Sequence, residues 1–574
     1  MKITKITNLL SCLSLSALIV LPVSQADATS TPSSADAGRV EKNLQQDLPD
    51  FKTSAPVSLK GNAPFTAPEG SEKITFVLKD VVLSDASVYS GSDLKSVYGN
   101  KIGTKISLAD VYSIAANLTA KYRADGYILT QVVVPPQTIG DGTVHLRVVE
   151  GTLSNITVEG SGAEGSNADI INKYVAKLKS KGVLKNANLE QTLLMINDLP
   201  GVTARSVLSP SKTVVGASDL TILVERKKID GSVQLDNFGS RYLGMWEVLG
   251  GFNLNSIFGH NERISAQAAY APSNQGVEPE LLYGSLSGVL PVGSYGTTLE
   301  ANIGKSLTTP GAGLDEFNVL GKSYSNGIKV NQPIIRTREL NLSSSLGLDR
   351  RSTETKSDVD TFKNDDITSL RLGGHVDYVD TLFSAAITNA NLEISRGLSI
   401  LGASEKGDAD LSRAAGDPTY LKMTADISRL ERLTNDFSLM VAAKGQMSSS
   451  ALLSAEEFGI GGATGFGRGY DPSELVGEDG IAGSVEVRWA SPYHTTWLDS
   501  YSVYTFYDIG KVWNDDATVA GQSEQSLAST GVGVRANINT ATRAGFMVAL
   551  PLTRDVAEQG DSDPRVYVNL SRDF

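Results

Sequence analysis

From Lys228 onward, apolar and polar residues alternate one by one along the chain. Leu340, Leu342, Ser344, Leu346 and Leu348 fall on one face, and Asn341, Ser343, Ser345, Gly347 and Asp349 on the other. Leu370, Leu372, Gly374, Val376 and Tyr378 oppose Arg371, Gly373, His375 and Asp377 in the same way. Phe437, Leu439, Val441, Ala443 and Met447 oppose Ser438, Lys444 and Gln446. A two-residue period is that of a β-strand, whose side chains point to alternate faces of the sheet. A soluble sandwich would need its apolar faces to meet in a core. Here the polar face carries charge with little aromatic filling, which suits a wet interior and an apolar outside. The pattern predicts a transmembrane β-barrel over 229–574. At roughly 20 residues per strand with its share of turn and loop, that segment holds about 16 antiparallel strands.

Ahead of Lys228 the period lengthens. Ser107 to Ala124 reads as a helix: Ser107 and Asp110 form an S-x-x-D cap, and Leu108, Val111, Ala115, Leu118 and Tyr122 line one face. Gly126 ends it. Residues 74–78 with 81–83 read as a strand before the helices, and 128–134 and 144–149 as two strands after them. The order then repeats, with a strand over 153–158, helices over 168–178 and 189–197, and strands over 204–208 and 220–224. The chain therefore holds two small βααββ domains, 73–150 and 151–228, and its fold class is mainly β with α+β modules. Sheet edges in such modules accept an extended peptide as an added strand, so partner binding is expected on grooves and edges within 73–228. Residues 29–72, rich in Ser, Ala, Thr and Pro, form a linker. Within it, Val40, Leu44 and Leu48 are spaced for a short helix over 36–48, with a frayed linker as the other reading.

Residues 1–28 have the form of a secretory signal. Lys2 and Lys5 precede the apolar run 9–23, and Ala26-Asp27-Ala28 offers small residues for cleavage. No later run is apolar and long enough for a spanning helix, so an exported chain crosses a membrane here only as a closed barrel. The net charge of -13 argues against nucleic acid as a partner. Cys12 is the only cysteine, which leaves no disulfide or thiolate metal site. His145, His260, His375 and His494 are scattered, none in an H-E-x-x-H, and no G-x-S-x-G or Walker sequence occurs. No catalytic residue, metal or cofactor is assigned, and an enzyme is the least favoured class.

One stretch stands apart. Phe458 to Tyr470 carries six glycines and a single cation, Arg468. Counting strands back from Phe574 assigns alternating short turns and long loops, and makes 448–480 a long loop on the outer side. The strand from Tyr501 to Val512 alternates so that Tyr501, Val503, Thr505, Tyr507 and Ile509 face lipid. Phe506, Asp508 and Gly510 then face the lumen. The expectation is a loop folded back into the barrel, its Arg468 paired with Asp508 and its glycines letting the backbone lie flat on the wall. A plain constriction loop with solvated charges is the other reading.

Several motifs carry a resemblance. Gly467-Arg-Gly-Tyr470, the Phe-x-Asp-x-Gly of Phe506 to Gly510, and the terminal Phe574 resemble outer-membrane barrels with periplasmic POTRA modules. Tyr122-Arg-Ala-Asp-Gly-Tyr127, Val134-Pro-Pro-Gln137, Asp141-Gly-Thr-Val144, Val149-Glu-Gly151, Asn197-Asp-Leu-Pro-Gly201 with Asp219-Leu220, and Asp236-Asn-Phe-Gly-Ser-Arg241 are similar to the two-partner secretion transporters. Gly467 stands where those proteins usually carry an aliphatic residue, and Arg572 interrupts the apolar register of the last strand. The resemblance implies a protein of the Gram-negative outer membrane with its POTRA domains in the periplasm. Its partner would be one large exoprotein, adhesin- or haemolysin-like, bound through an N-terminal secretion domain. The site would comprise Arg468, Gly469, Tyr470, Phe506, Asp508 and Gly510 as a loop lock. Phe574 would be a C-terminal signal for the barrel assembly machinery and insertion into outer-membrane lipid. The 36–48 helix would be a pore plug. The alternative is an assembly or insertion factor for other barrels, whose known forms tend to carry more POTRA modules.

Overall fold

A computed structural model describes residues 32–44, 58–59, 66–179, 182–214, 216–273, 278–358, 362–491, 495–514, 523–557 and 559–574. The expected signal over 1–28 lies outside the described residues, as do 45–48 of the expected helix and His494. Sixteen strands close into one barrel, from Ile229–Asp236 to Arg565–Asp573. Every neighbouring pair is antiparallel, and the last strand returns to the first with Ser232 opposite Asp573 and Asp236 opposite Asn569. Asn237 extends that seam: its Nδ2 donates to Val566 O at 2.9 Å, and Val568 N donates to its Oδ1 at 2.7 Å. A side-chain amide here imitates a backbone amide, so the ladder continues past the end of the first strand.

The alternation in the sequence is the alternation of the wall. Ile328, Leu346, Leu372, Val441 and Tyr507 are exposed on the outer face, where lipid would cover them. Between them the inward residues are polar. Lys329, Ser345, His375, Asn391, Asp426 and Lys444 help line a lumenal cavity of about 480 Å³. A wall apolar outside and polar inside is stable only between two solvents, lipid and water.

The two small modules stand at one mouth. In the first, the helix Leu108–Ala124 buries Val111, Ile114, Leu118 and Tyr122 against Val132, Val144, Leu146 and Val148. Its cap is reciprocal: Asp110 N donates to Ser107 Oγ at 3.2 Å, and Ser107 N donates to Asp110 Oδ2 at 2.9 Å. Lys101 donates to Asp110 at 2.7 Å, and with the Ser107 donors holds its carboxyl down at about 2. Burial, with Glu150 alongside, pushes the Tyr122 hydroxyl up to about 12. The stretch read as one strand over 74–78 and 81–83 is two. Thr75–Val77 pairs with Lys105–Ser107, whereas Asp80–Ser84 runs parallel to Thr143–Val149. The chain turns between them, where Leu78 N donates to Thr104 O and Lys79 N to Gly142 O. A further helix, Gly91–Tyr98, was not assigned from sequence because its apolar residues are too few to set a period.

The second module runs Thr152–Glu159, Asn167–Lys179, Asn186–Asn197, Val202–Pro210 and Ala217–Arg226. Part of the linker joins it: Ser58 and Leu59 pair in parallel with Val207 and Leu208. The modules meet where Leu184 N donates to Gly151 O and Asn186 N to Gly126 O, both at 2.8 Å. Two of the motifs, Tyr122 to Tyr127 and Val149 to Gly151, therefore build this joint. Module two is tied to short turns of the barrel. Arg336 donates twice to Asp198, each time at 2.7 Å, and Lys177 Nζ donates to Ser294 O at 2.7 Å.

Candidate functional site

The long loop between the strands Phe437–Ser448 and Asp479–Ala490 folds into the lumen. Phe458–Ile460 and Leu475–Gly477 pair as a small hairpin, and Phe458, Ile460, Tyr470 and Leu475 bury themselves against Ala482, Val512 and Leu527 of the wall. Close approach of backbone demands glycine at 469, while at 510 a Cβ would fit only if the Ile460 side chain shifted. A Cβ on Gly469 would lie 2.8 Å from the backbone of Leu550 and Pro551, and one on Gly510 would lie 2.7 Å from Ile460. Tyr470 is fully buried, its hydroxyl donating to Ala528 O at 3.1 Å.

At the tip, Arg468 and Asp508 are buried, 7% and 0% exposed. The pair is forked: Arg468 Nε donates to Asp508 Oδ2 at 2.9 Å and Nη2 to Oδ1 at 2.8 Å. Oδ2 also accepts the backbone N–H of Arg468 at 3.0 Å and of Gly467 at 3.2 Å. Gly467 has φ +91, and a Cβ there would meet Leu527 at 2.7 Å. Glycine at 467 permits the backbone conformation in which this N–H reaches the carboxylate. Ser484 Oγ donates to Asp508 Oδ1 at 2.7 Å. The guanidinium carbon lies over the Phe506 ring, 3.5 Å from its centroid, where the π face attracts a cation. Bidentate, desolvated pairs of this kind are short and geometrically specific.

Sequence reading missed the second carboxylate. Glu486 accepts from Arg468 Nη1 at 2.5 Å, from Arg488 Nε at 2.6 Å and from Arg535 Nη1 at 2.7 Å. The signal was available: Gly480, Ala482, Ser484, Glu486 and Arg488 share the inward register of their strand. Phe574, by contrast, lies apart from this cluster. It closes the seam, exchanging backbone hydrogen bonds with Gly231 at 2.9 and 3.1 Å, while its ring is exposed.

A helix, Ala37–Leu44, also sits inside the barrel. Its backbone is held by the wall: Ser306 Oγ donates to Ala37 O at 2.9 Å and Arg351 Nη1 to Gly38 O at 2.8 Å. Glu41 accepts from Ser323 and Ser325. Its other side holds the infolded loop, through an Arg39–Glu457 ion pair and Lys42 Nζ donating to Ala455 O at 3.2 Å. Ser33 Oγ, just before it, donates to Ser473 O on the other leg of the loop. Glu456 beside this contact pairs with Arg371 and Lys422 of the wall. Spacing located the helix but not these partners, because they come from strands and a loop far away in sequence. Among the described residues no group of acidic, His or Cys side chains has the arrangement of a metal site.

Comparison with known proteins follows this architecture. Residues 216–536, more than half of the chain, match the family model "Haemolysin secretion/activation protein ShlB/FhaC/HecB", and residues 76–151 match "POTRA domain, ShlB-type". The chain is 23% identical over 535 residues to the heme/hemopexin transporter protein HuxB of Haemophilus influenzae, covering 91% of this chain and 92% of that one. It is 21% identical to the outer membrane transporter CdiB of Dickeya dadantii over 82% of each. The solved structure of CdiB from Escherichia coli superposes with a TM-score of 0.68 at 19% identity, covering 94% of this chain and 96% of the other. The chain belongs to the haemolysin secretion/activation family: it is an outer-membrane transporter of two-partner secretion, with POTRA modules in the periplasm and a large exoprotein as its partner.

Proposed function

We propose that the POTRA modules, 73–150 and 151–228, capture the unfolded N-terminal secretion domain of one adhesin- or haemolysin-like exoprotein along their grooves and sheet edges. The partner then threads through the barrel, 229–574, to the cell surface or medium. Arg468, Gly469, Tyr470, Phe506, Asp508 and Gly510 act as the lock that keeps the infolded loop on the wall while the chain passes. Phe574 serves as the C-terminal signal read by the barrel assembly machinery as the protein enters outer-membrane lipid. Folding of the cargo outside supplies the direction.

One observation carries this reading: the lumen is filled by segments of the same chain, and the helix among them is held mainly by hydrogen bonds and ion pairs. Polar contacts of this kind can be exchanged for those of another polar chain, so the helix is removable. A permanently packed core would not be. The test deletes the gene and compares proteins in the medium and on the cell surface. Loss of one very large protein is expected. A simultaneous fall in many outer-membrane proteins would overturn the reading in favour of an assembly factor.

A further inference from the structure

The outer loop 398–420 joins the strands Ala386–Gly397 and Leu421–Arg432. It is fixed against the root of the infolded loop. Leu411 is buried with Ile367, Tyr420, Leu452 and Leu453. Ser412 N donates to Asp365 Oδ1 at 2.9 Å, Ser454 N to Ser412 Oγ at 3.2 Å, and Asp417 N to Ala451 O at 2.9 Å. On this support stands Arg413. Its Nη1 lies 2.9 Å from Glu457 Oε1 and 2.6 Å from Glu478 Oε1, and donates to Leu452 O at 2.9 Å.

The placement of the two carboxylates matters. Glu457 immediately precedes the inner strand Phe458–Ile460, and Glu478 immediately follows its partner Leu475–Gly477. One guanidinium therefore joins both legs of the infolded loop at its neck, across the hairpin from Arg468 at the tip. Glu457 is also the residue that holds Arg39 of the lumenal helix. A polypeptide cannot pass while Ala37–Leu44 fills the lumen, so that helix has to leave, and Arg39 and Lys42 leave with it. Glu457 and Glu478 are both buried. Two buried carboxylates side by side repel each other and take up water unless a cation stays between them.

We propose that Arg413 is a positioning residue that keeps the neck of the infolded loop closed after the plug helix has left. Departure of the helix and release of the loop are then separate events. While the helix is seated, Glu457 shares two arginines, and the loss of either is partly covered by the other. Once it has gone, Arg413 is the cation left between Glu457 and Glu478, beside the amide of Gln446, which donates to Glu456 O at 3.1 Å and to Glu478 O at 3.0 Å. This extends beyond the tip lock, because it assigns a role in loop retention to an outer loop with no residue in that lock.

The test uses the full chain without cargo, so its outcome does not depend on which partner is exported. Four forms are compared: parent, Arg39→Gln, Arg413→Gln and both, each carrying Ala463→Cys. Ala463 is buried against Tyr504 and Phe506 at the loop tip, so labelling of its thiol by a charged maleimide reads loop release. Planar-bilayer conductance reads the helix. Arg39→Gln is expected to raise the open fraction while the labelling rate stays close to that of the parent, because Arg413 still neutralises Glu457. Arg413→Gln alone leaves the channel closed. The double form labels at least about tenfold faster than the product of the two single effects, the size of coupling seen between residues that share a partner. Arg413→Lys in the Arg39→Gln background restores part of the protection, because a cation remains. Labelling in the double form equal to the product of the singles overturns the proposal, as does channel opening by Arg413→Gln alone. If the double form does not assemble, Arg413→Lys with Arg39→Gln carries the same comparison: labelling above the product supports the proposal, and equality overturns it.

Discussion

Asp508→Asn removes the charge from the wall while keeping the side chain's size. Six donors converge on that carboxylate: three from Arg468, one from Gly467 and the hydroxyls of Ser484 and Ser529. An amide offers one oxygen and an NH₂ group, so whichever way it turns it brings donors against donors. Hydrogen bonds to a charged group contribute about 1.5–3 kcal/mol each, and breaking a buried ion pair outright costs about 3–5 kcal/mol. Glu486 still holds Arg468 Nη1, so the guanidinium keeps a counter-ion and the lower end applies. A loss of about 3 kcal/mol shifts the docked-to-undocked ratio of the loop tip roughly 100-fold. Native-state hydrogen exchange reads this directly through the amides of Gly467 and Arg468, since local opening governs their rates. Their exchange should accelerate by about that factor, while the strand Glu524–Asn539 stays as in the parent. Because the pair is buried, the change should persist at high salt. Arg468→Lys keeps the charge but loses the fork and should fall between the two. An acceleration below about fivefold, or one spread evenly over the barrel, would refute the reasoning.

Other consequences are simpler to check. Gly469→Ala places a methyl against the backbone of Leu550 and Pro551, so the loop should stand off the wall and secretion should fall while heat-modifiable mobility shows an assembled barrel. Ser107→Ala removes a helix cap and should cost the first module about 1 kcal/mol in urea unfolding. Asp110 titrates at about 2 in the folded module against about 3.9 in an unfolded chain. Its contribution is therefore complete above about pH 4 and is lost as pH falls through about 2, and Asp110→Asn should flatten that part of the acid limb. Asp198→Ala removes the partner of Arg336, a partly exposed pair, so spin-label distances between module two and the barrel should broaden with a loss of at most about 1 kcal/mol.

Much of the architecture was legible because two solvents impose it. A strand between lipid and water has to alternate, so the wall from Lys228 onward was readable residue by residue. The cap at Ser107 and Asp110 was readable because it is local. The meeting of Arg468 and Asp508 was readable for a different reason. A lone cation among glycines has few uses, and the inward register of Asp508 follows from its neighbours. What sequence hid was long-range. The inward register of Glu486 was readable, but nothing in the chain says that the Arg468 tip reaches that height. The Arg39–Glu457 and Arg413–Glu478 pairs join segments hundreds or tens of residues apart, with no period to link them. The split of 74–83 into two strands turns on backbone bonds to Thr104 and Gly142, which alternation does not report.

The two segments that fill the lumen are held by different physics, which under the proposed function predicts an order of release. The helix buries few apolar side chains: Ala35 lies with Leu243, Ala271 and Leu281, and Val40 and Leu44 are only partly covered. The rest of its adhesion is polar, about 1.5–3 kcal/mol net for each bond to a charged group, and another polar chain can supply the same kind of partner. The infolded loop has the same kind of polar contacts, but it also buries Phe458, Ile460, Tyr470 and Leu475 against the wall. Each large apolar side chain taken out of water adds about 1.5–3 kcal/mol that water does not return on exchange. A passing polypeptide supplies backbone amides and carbonyls, which replace the helix's hydrogen bonds with Ser306 and Arg351 but not the loop's dry core. On the proposed threading route, the helix is therefore the part expected to yield, and the loop the part expected to stay.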